Sequence, residues 1–362
     1  MSPEPVAQST ASAVACDPSS QVEHARTRAL AALERWLGRQ GRSLTSVNEH
    51  SNFNHVFVFE APGLRYFIKV ALDSPKRLSG VSLPAQRIES EARALRLARS
   101  HTDCLVVPEA LYLDTEASVL VMSDVGQGRL PLVRLLEANY SSWLTVVEPL
   151  SRGLAQLHAS SRGANALCSE PLDAAVRSFV YEQLLSPGIT TLAGALAKPV
   201  LAQMAGVREC LIHSDVWPKN ILAGANPPAL LDFEGAMPGD PAFDLASVLG
   251  AQLLPVAQRG VSPAAFETVS ARTLSGYRAG LEDERWFSDL RKRLIPYLAV
   301  FLACRIAGPF AYDIPLRGVR ALRQLVLEIS SGALTRVDEL YGRLAALCVP
   351  TARLDQSGGF RL

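Results

Sequence analysis

The chain has 362 residues, 48% of them hydrophobic and 20% charged, which is enough to bury a sizeable core and excludes a disordered chain. Lys plus Arg number 36 against 35 Asp plus Glu, and this +1 balance excludes a protein whose main task is to coat nucleic acid or an acidic membrane. No run of 18 apolar residues occurs, so no membrane span is expected.

Residues 1–20 lack the basic and apolar regions of a secretory signal and are expected to form a disordered tail. Residues 21–40 carry apolar side chains at helical spacing and predict a leading helix. Two β-rich runs between Val56 and Leu72 flank Ala61-Pro62-Gly63 and predict a hairpin. Residues 87–101 are rich in good helix formers, and two short strands are expected before Val125. The expected fold class is therefore α+β: an N-lobe over 21–124, built on a small sheet, and a larger, mostly helical C-lobe over 125–350. A polar tail, 351–362, ends the chain. Within the C-lobe, residues 141–161 predict a buried helix, and two short apolar runs in 211–233 interrupt the helical pattern.

The six cysteines, Cys16, Cys104, Cys168, Cys210, Cys304 and Cys348, form no CxxC pair and no Cys/His cluster of metal-ligand spacing. Reduced thiols in a cytoplasmic protein are expected, without structural zinc.

Chemistry concentrates in Leu211–Leu222, which reads H-x-D-x-x-x-x-N, and in Asp232-Phe233-Glu234, which begins twelve residues after Asn220. Phosphoryl transfer from ATP needs a group that orients and deprotonates the acceptor hydroxyl, and hard oxygen ligands that hold Mg²⁺ against the phosphates. Asp215 suits the first role, and Asn220 and Asp232 suit the second. A short hairpin between them would place all three on one cleft wall. Such a cleft also needs a cation on the phosphates. Lys69 lies in the apolar run Tyr66–Ala71, where an ammonium is costly without a partner or a task. Glu89 and Glu91 can pair with it, and Glu91 is favoured because its place before Ala92-Arg93-Ala94-Leu95 suits an inward-facing turn.

On these residues the chain resembles the aminoglycoside phosphotransferase and choline kinase superfamily, which has a two-lobed protein-kinase-like fold, and within it 5-methylthioribose kinase. Further matches are Leu154-Ala-Gln-Leu-His158, Phe243-Asp-Leu-Ala246, Ser51–Phe57, Ser79–Pro84 leading into Arg87–Ala92, and Cys304–Gly308. The resemblance spans roughly residues 40 to 330. It implies ATP and Mg²⁺ as cofactors, Asp215 as catalytic base and Asn220 and Asp232 as metal ligands, with Glu234 a metal or substrate-side carboxylate. It also implies Ser51, Asn52 and Asn54 in a loop over the phosphates, and the strand end around Met122, Ser123 and Val125 as the hinge that meets adenine. Asp244 would brace the catalytic loop or cap the next helix. His158 and His213 would be structural.

The chain departs from methylthioribose kinases, which carry Trp in the segment matched by Ser82-Leu83-Pro84 and paired arginines at Cys304-Arg305. Arg305 is a candidate for an anionic or polyhydroxy substrate. Trp217 is a candidate to stack on an acceptor ring or to fill a gap between lobes. No APE motif follows Asp232-Phe233-Glu234, which argues against a protein kinase, and no GxxxxGK[ST] is present. The expected partner is a small-molecule hydroxyl substrate, with no nucleic acid or membrane, and the oligomeric state, a homodimer included, stays open. Residues 251–362 hold 15 Lys plus Arg against 10 Asp plus Glu, a net +5 that favours a sugar or neutral or anionic alcohol over a polycationic aminoglycoside. A hydroxylated aromatic amine is the alternative acceptor, and a nucleotide-binding pseudokinase the alternative class.

Overall fold

The computed structural model describes residues 18–38, 44–46, 54–61, 64–73, 83–163, 170–309 and 311–348. The expected tails lie outside these residues, except that Pro18–Ser20 open the leading helix.

That helix, α1 (Pro18–Leu37), spaces Ala25, Ala29, Ala32 and Leu33 three or four residues apart and buries them on a five-stranded antiparallel sheet. The strands are β1 (Leu44–Ser46), β2 (His55–Ala61), β3 (Leu64–Val70), β4 (Ala110–Asp114) and β5 (Val119–Ser123), in spatial order β1-β2-β3-β5-β4. Alternation along β3 sends Ile68 and Val70 toward α1, with Phe57, Phe59, Val119 and Val121 from its neighbours. Lys69 therefore falls on the opposite face, which looks into the cleft. Helix α2 (Arg87–His101) packs on that face through Ile88, Ala92 and Leu95. Glu91 lies on the same stripe as these three, three residues from Ile88 and four from Leu95, whereas Glu89 does not.

The chain then passes through β6 (Leu130–Pro131), α3 (Leu132–Ala138) and α4 (Val147–Ser160). The helix predicted over 141–161 starts as a separate 3-10 helix, Tyr140–Thr145, whose Ser141 N–H donates to the Asn139 side chain. Helix α5 (Glu170–Ser178) runs through a π-helical segment, Phe179–Leu185, into α6 (Ser186–Ala193), and α7 (Ala197–Gly206) follows a break at Gly194. Asp173–Gly206 is, among the described residues, the stretch long and apolar enough by composition to cross a membrane, but Gly194 divides it. It packs on a later helix where Gly188 meets the Ala303 backbone closely enough that a side chain there would overlap it.

Short strands then carry the site: β7 (Cys210–Ile212), β8 (Ile221–Ala223), β9 (Ala229–Leu230) and β10 (Met237–Gly239), with β8–β9 the expected hairpin and β7 paired antiparallel to β10. Helices α8 (Pro241–Arg259), α9 (Pro263–Leu281), α10 (Glu284–Ala307), α11 (Leu316–Ser330) and α12 (Val337–Cys348) complete the fold. Helix α8 is buried on nearly every side and packs on α10. Among the described cysteines, Cys104, Cys210 and Cys304 are free thiols.

Candidate active site

Pairing of β7 with β10 and of β8 with β9 lays His213–Asn220 beside Leu231–Gly235. Two residues at this junction, Ser214 and Asp232, hold left-handed backbone at φ 67° and 68°. Such strain in non-glycine residues persists where the surroundings over-determine it, as at functional sites. A Cβ on Gly235 would overlap Ser214 Oγ, which donates to the Gly235 carbonyl at 2.8 Å, so only glycine lets the two loops close to this distance.

The catalytic-loop candidate is fastened from beneath. Asp244 on α8 accepts the backbone N–H groups of His213 at 2.7 Å and Ser214 at 2.8 Å. It also accepts from His158 Nε2 at 3.1 Å, and Tyr277 O–H donates to His158 Nδ1 at 2.7 Å. Asp244, His158, Tyr277 and His213 are buried, and Ser214 is half-buried. The helix-cap alternative for Asp244 does not hold, because Asp240 caps α8 by accepting from Ala242 N. His213 bridges the two loops: its Nε2–H donates to the Leu231 carbonyl at 2.9 Å and its Nδ1 accepts from Asp215 N at 3.2 Å.

Asp215 has both carboxylate oxygens engaged. Asn220 Nδ2 donates to Oδ2 at 2.9 Å and to the Asp215 backbone carbonyl at 3.0 Å, while Arg305 Nη2 donates to Oδ1 at 3.2 Å. The amide nitrogen is thus the end of Asn220 that is committed, which leaves its oxygen as a donor for a cation. Across the cleft, Lys69 Nζ lies 2.8 Å from Glu91, 2.5 Å from Asp232 and 3.6 Å from Glu234. Burial alone would lower the Lys69 ammonium, but these three carboxylates outweigh it and hold the pKa above its usual value. Burial also pushes the Glu234 carboxyl up to about 8, helped by the neighbouring Asp232 charge and opposed by Lys69. Asp232 feels the same burial but sits below its usual range, because Lys69 donates to it directly.

Two cavities meet here. The first, about 500 Å³, lies under the sheet and is walled by Val56, Phe67, Lys69, Glu91, Met122, Ser123, Val125, Asn220, Leu222, Leu231 and Asp232. The second, about 90 Å³, is walled by Val176, Phe179, Val180, Leu184, Phe301, Cys304, Arg87 and Arg305. Asp215, Lys219 and Glu234 line both.

The structure thus brings together Lys69, Glu91, Met122, Ser123, Val125, Asp215, Asn220, Asp232, Glu234 and Arg305, with Asp244 beneath them. Two expectations are corrected. Asn54 was expected over the phosphates; it is instead buried, donating to Glu234 Oε2 and accepting from Arg87 Nη2 at 2.6 Å. Its side chain is spent on shaping Glu234. Trp217 neither lines the cavity at Asp215 nor fills a gap between lobes. It packs on Phe301 at 5.7 Å and Tyr312 at 5.1 Å, and faces a separate cavity of about 530 Å³. Ser51 and Asn52 lie outside the described residues.

Sequence reasoning missed Arg87 and Lys219. Arg87 is buried and donates to the carbonyls of Leu72, Leu83 and Pro84 as well as to Asn54. Its signal was available: a cation in the first turn of a helix opposes the helix dipole and needs a reason. Lys219 stands between Pro218 and Asn220 in the loop itself.

The residues present fit a divalent cation bound with phosphates. Asp232, Glu234 and the Asn220 oxygen are hard donors, and Mg²⁺ is usually held by one or two carboxylates plus the phosphates of its substrate. Lys69 is shared by three carboxylates, Glu91, Asp232 and Glu234, and a divalent cation would add positive charge to this cluster.

A sheet with a helix on each face, a cleft, and a helical body that supplies two apposed acidic loops together define a kinase-like phosphotransferase fold. The model of the phosphotransferase enzyme family matches residues 48–287, and the chain belongs to that family. It is therefore a phosphotransferase acting on small-molecule hydroxyl groups, and the family implies ATP as donor. Among solved structures the chain is similar to amicoumacin kinase hAmiN in complex with AMP-PNP, Ca²⁺ and amicoumacin (14% identity over 87% of this chain and 97% of that one, TM-score 0.54). It is also similar to a microcompartment-associated aminopropanol kinase (15%, 89% and 99%, 0.52) and to a choline/ethanolamine kinase family protein from Mesorhizobium loti (16%, 89% and 98%, 0.50). At these identities the likeness concerns the fold. No curated protein matches the chain.

Proposed function

We propose that the protein transfers the γ-phosphoryl group of ATP, bound with Mg²⁺ in the 500 Å³ cleft, to the hydroxyl of a small alcohol in the adjoining cavity. The observation that carries this is the shared wall: Asp215, Lys219 and Glu234 line both cavities, so a group passing from one to the other passes them. The metal nucleotide supplies the phosphoryl group and neutralises charge on it. Asn220, Asp232 and Glu234 would hold the metal, Lys69 would meet the phosphates while Glu91 fixes it, and the strand end Met122–Val125 would face adenine. Asp215 orients the acceptor hydroxyl and takes its proton. Asp244, His158 and His213 keep that carboxylate in place.

The likeness to methylthioribose kinase lies in sequence motifs, chiefly Ser51–Phe57 and Cys304–Gly308, and supports a small alcohol or sugar as the acceptor.

ATP consumption by the purified protein with Mg²⁺ tests the proposal, run against methylthioribose, choline, homoserine, hydroxytryptamines and aminoglycosides, with Asp215→Ala as the control. Acceptor-dependent turnover lost in the variant is expected. Absence of both turnover and ATP binding would overturn it.

A further inference from the structure

The guanidinium of Arg305 occupies an aromatic box. Its carbon lies 4.4 Å from the Trp217 ring centroid, 5.2 Å from Phe301 and 5.7 Å from Tyr312. Three aromatic faces around one point make the kind of cage that binds organic cations. Here the chain fills the cage with its own cation, 3.2 Å from Asp215. A substrate ammonium that approached the same carboxylate would meet this fixed positive charge first. Arg305 Nε is buried and has no hydrogen-bond partner among the described residues, although the side chain lines the cavity. A buried donor left unpaired is rare and calls for a missing acceptor.

The rest of the wall agrees. Arg87, Lys219 and Arg305 face it with two carboxylates, Asp215 and Glu234, a cationic excess of one. The remainder is largely apolar: Val176, Phe179, Val180 and Leu184 from the α5–α6 stretch, with Phe301. A volume of about 90 Å³ admits a compact body and no polycyclic antibiotic.

We infer that the acceptor is a compact hydroxy acid, with its hydroxyl at Asp215, its carboxylate on Arg305 and an apolar body against Val176, Phe179 and Leu184, and that Arg305 is the residue that selects it over amino alcohols. This rests on the kinase reading above. Because Arg305 and Asp215 touch, one or two carbons between hydroxyl and carboxylate span the two groups. In the reaction the acceptor oxygen forms the new bond to the γ-phosphorus, the bond from that phosphorus to the bridging oxygen of ADP breaks, and the hydroxyl proton goes to Asp215.

Matched probes test the inference: 3-hydroxypropanoates with a methyl, isobutyl or phenyl group at C2, each beside its neutral amide and its primary amine. Binding is read by calorimetry with ADP and Mg²⁺ present, and turnover by ADP release with ATP. The carboxylates should exceed the amides about tenfold in kcat/KM, and the amines by more, as expected for a charge-assisted guanidinium pair. Arg305→Gln should erase the preference through KM, and Arg305→Lys should restore part of it. A purely structural role would instead lower all three forms equally. Preference for the amines, equal use of the three forms, or carboxylates that neither bind nor react while ATP and Mg²⁺ still raise the melting temperature would overturn the inference and leave the kinase reading standing. Loss of stabilisation by ATP and Mg²⁺ would take down both.

Discussion

Asp244 holds His213 through a backbone hydrogen bond of 2.7 Å across thirty-one residues of sequence. The same carboxylate holds Ser214, the residue whose left-handed backbone turns the loop toward Asp215. Helix α8, the most deeply buried helix in the body, thereby sets the position of the reacting carboxylate.

Asp244→Asn tests that coupling. The amide keeps the shape but presents its NH₂ to groups that are themselves donors, leaving a buried N–H unpaired. We expect a stability loss of about 3 kcal/mol, within the range for unsatisfied buried donors to a charged partner. Turnover should fall further than nucleotide affinity does. Urea unfolding and steady-state kinetics on the same preparation measure both.

The acidic cluster predicts how metal affinity depends on pH. Glu234 is held protonated up to about 8 in the metal-free protein, chiefly by burial, and a metal needs it ionised. Affinity for Mg²⁺ in the presence of nucleotide should therefore rise from pH 6 to pH 9, with release of a proton on binding. The sign for stability is opposite: the folded metal-free protein binds a proton that the unfolded chain has lost above about 4.5, so stability falls as pH rises toward about 8. Glu234→Gln should flatten both profiles. Calorimetric titrations in two buffers of different ionisation enthalpy, with melting curves across the same pH range, read these changes.

Gly250 on α8 leaves the space that the Phe301 ring fills, and a Cβ there would overlap the ring. Gly250→Ala gains a little helix propensity and loses more by overpacking, which costs about 1–3 kcal/mol. Displacing Phe301 also disturbs one wall of the box around Arg305. The variant should melt lower and show a raised acceptor KM with ATP affinity kept. An unchanged acceptor KM would show that Phe301 does not position Arg305.

Much of this site was legible because its chemistry is local in sequence. Asp215, Asn220 and Asp232 are joined by one short hairpin, so spacing alone places them on a common wall. Lys69 was legible for a different reason, a charge in an otherwise apolar strand, where only one face leads to the cleft. Glu91 separated from Glu89 once the apolar stripe Ile88, Ala92 and Leu95 fixed the face of α2. Asn54 and Trp217 were misjudged because their partners are remote: Arg87 and Glu234 for one, Phe301, Tyr312 and Arg305 for the other. A sequence read segment by segment carries no trace of such pairings. The π-helical turn at Phe179–Leu185, which supplies part of the small cavity, was equally hidden, since its apolar residues also suit an ordinary helix.

The most direct test of the account is turnover and nucleotide affinity measured together in Asp215→Ala. The proposal requires turnover to fall about 10²–10⁴-fold, as for loss of a general base, with affinity for ATP and Mg²⁺ largely kept. Turnover equal to that of the unaltered protein would contradict it.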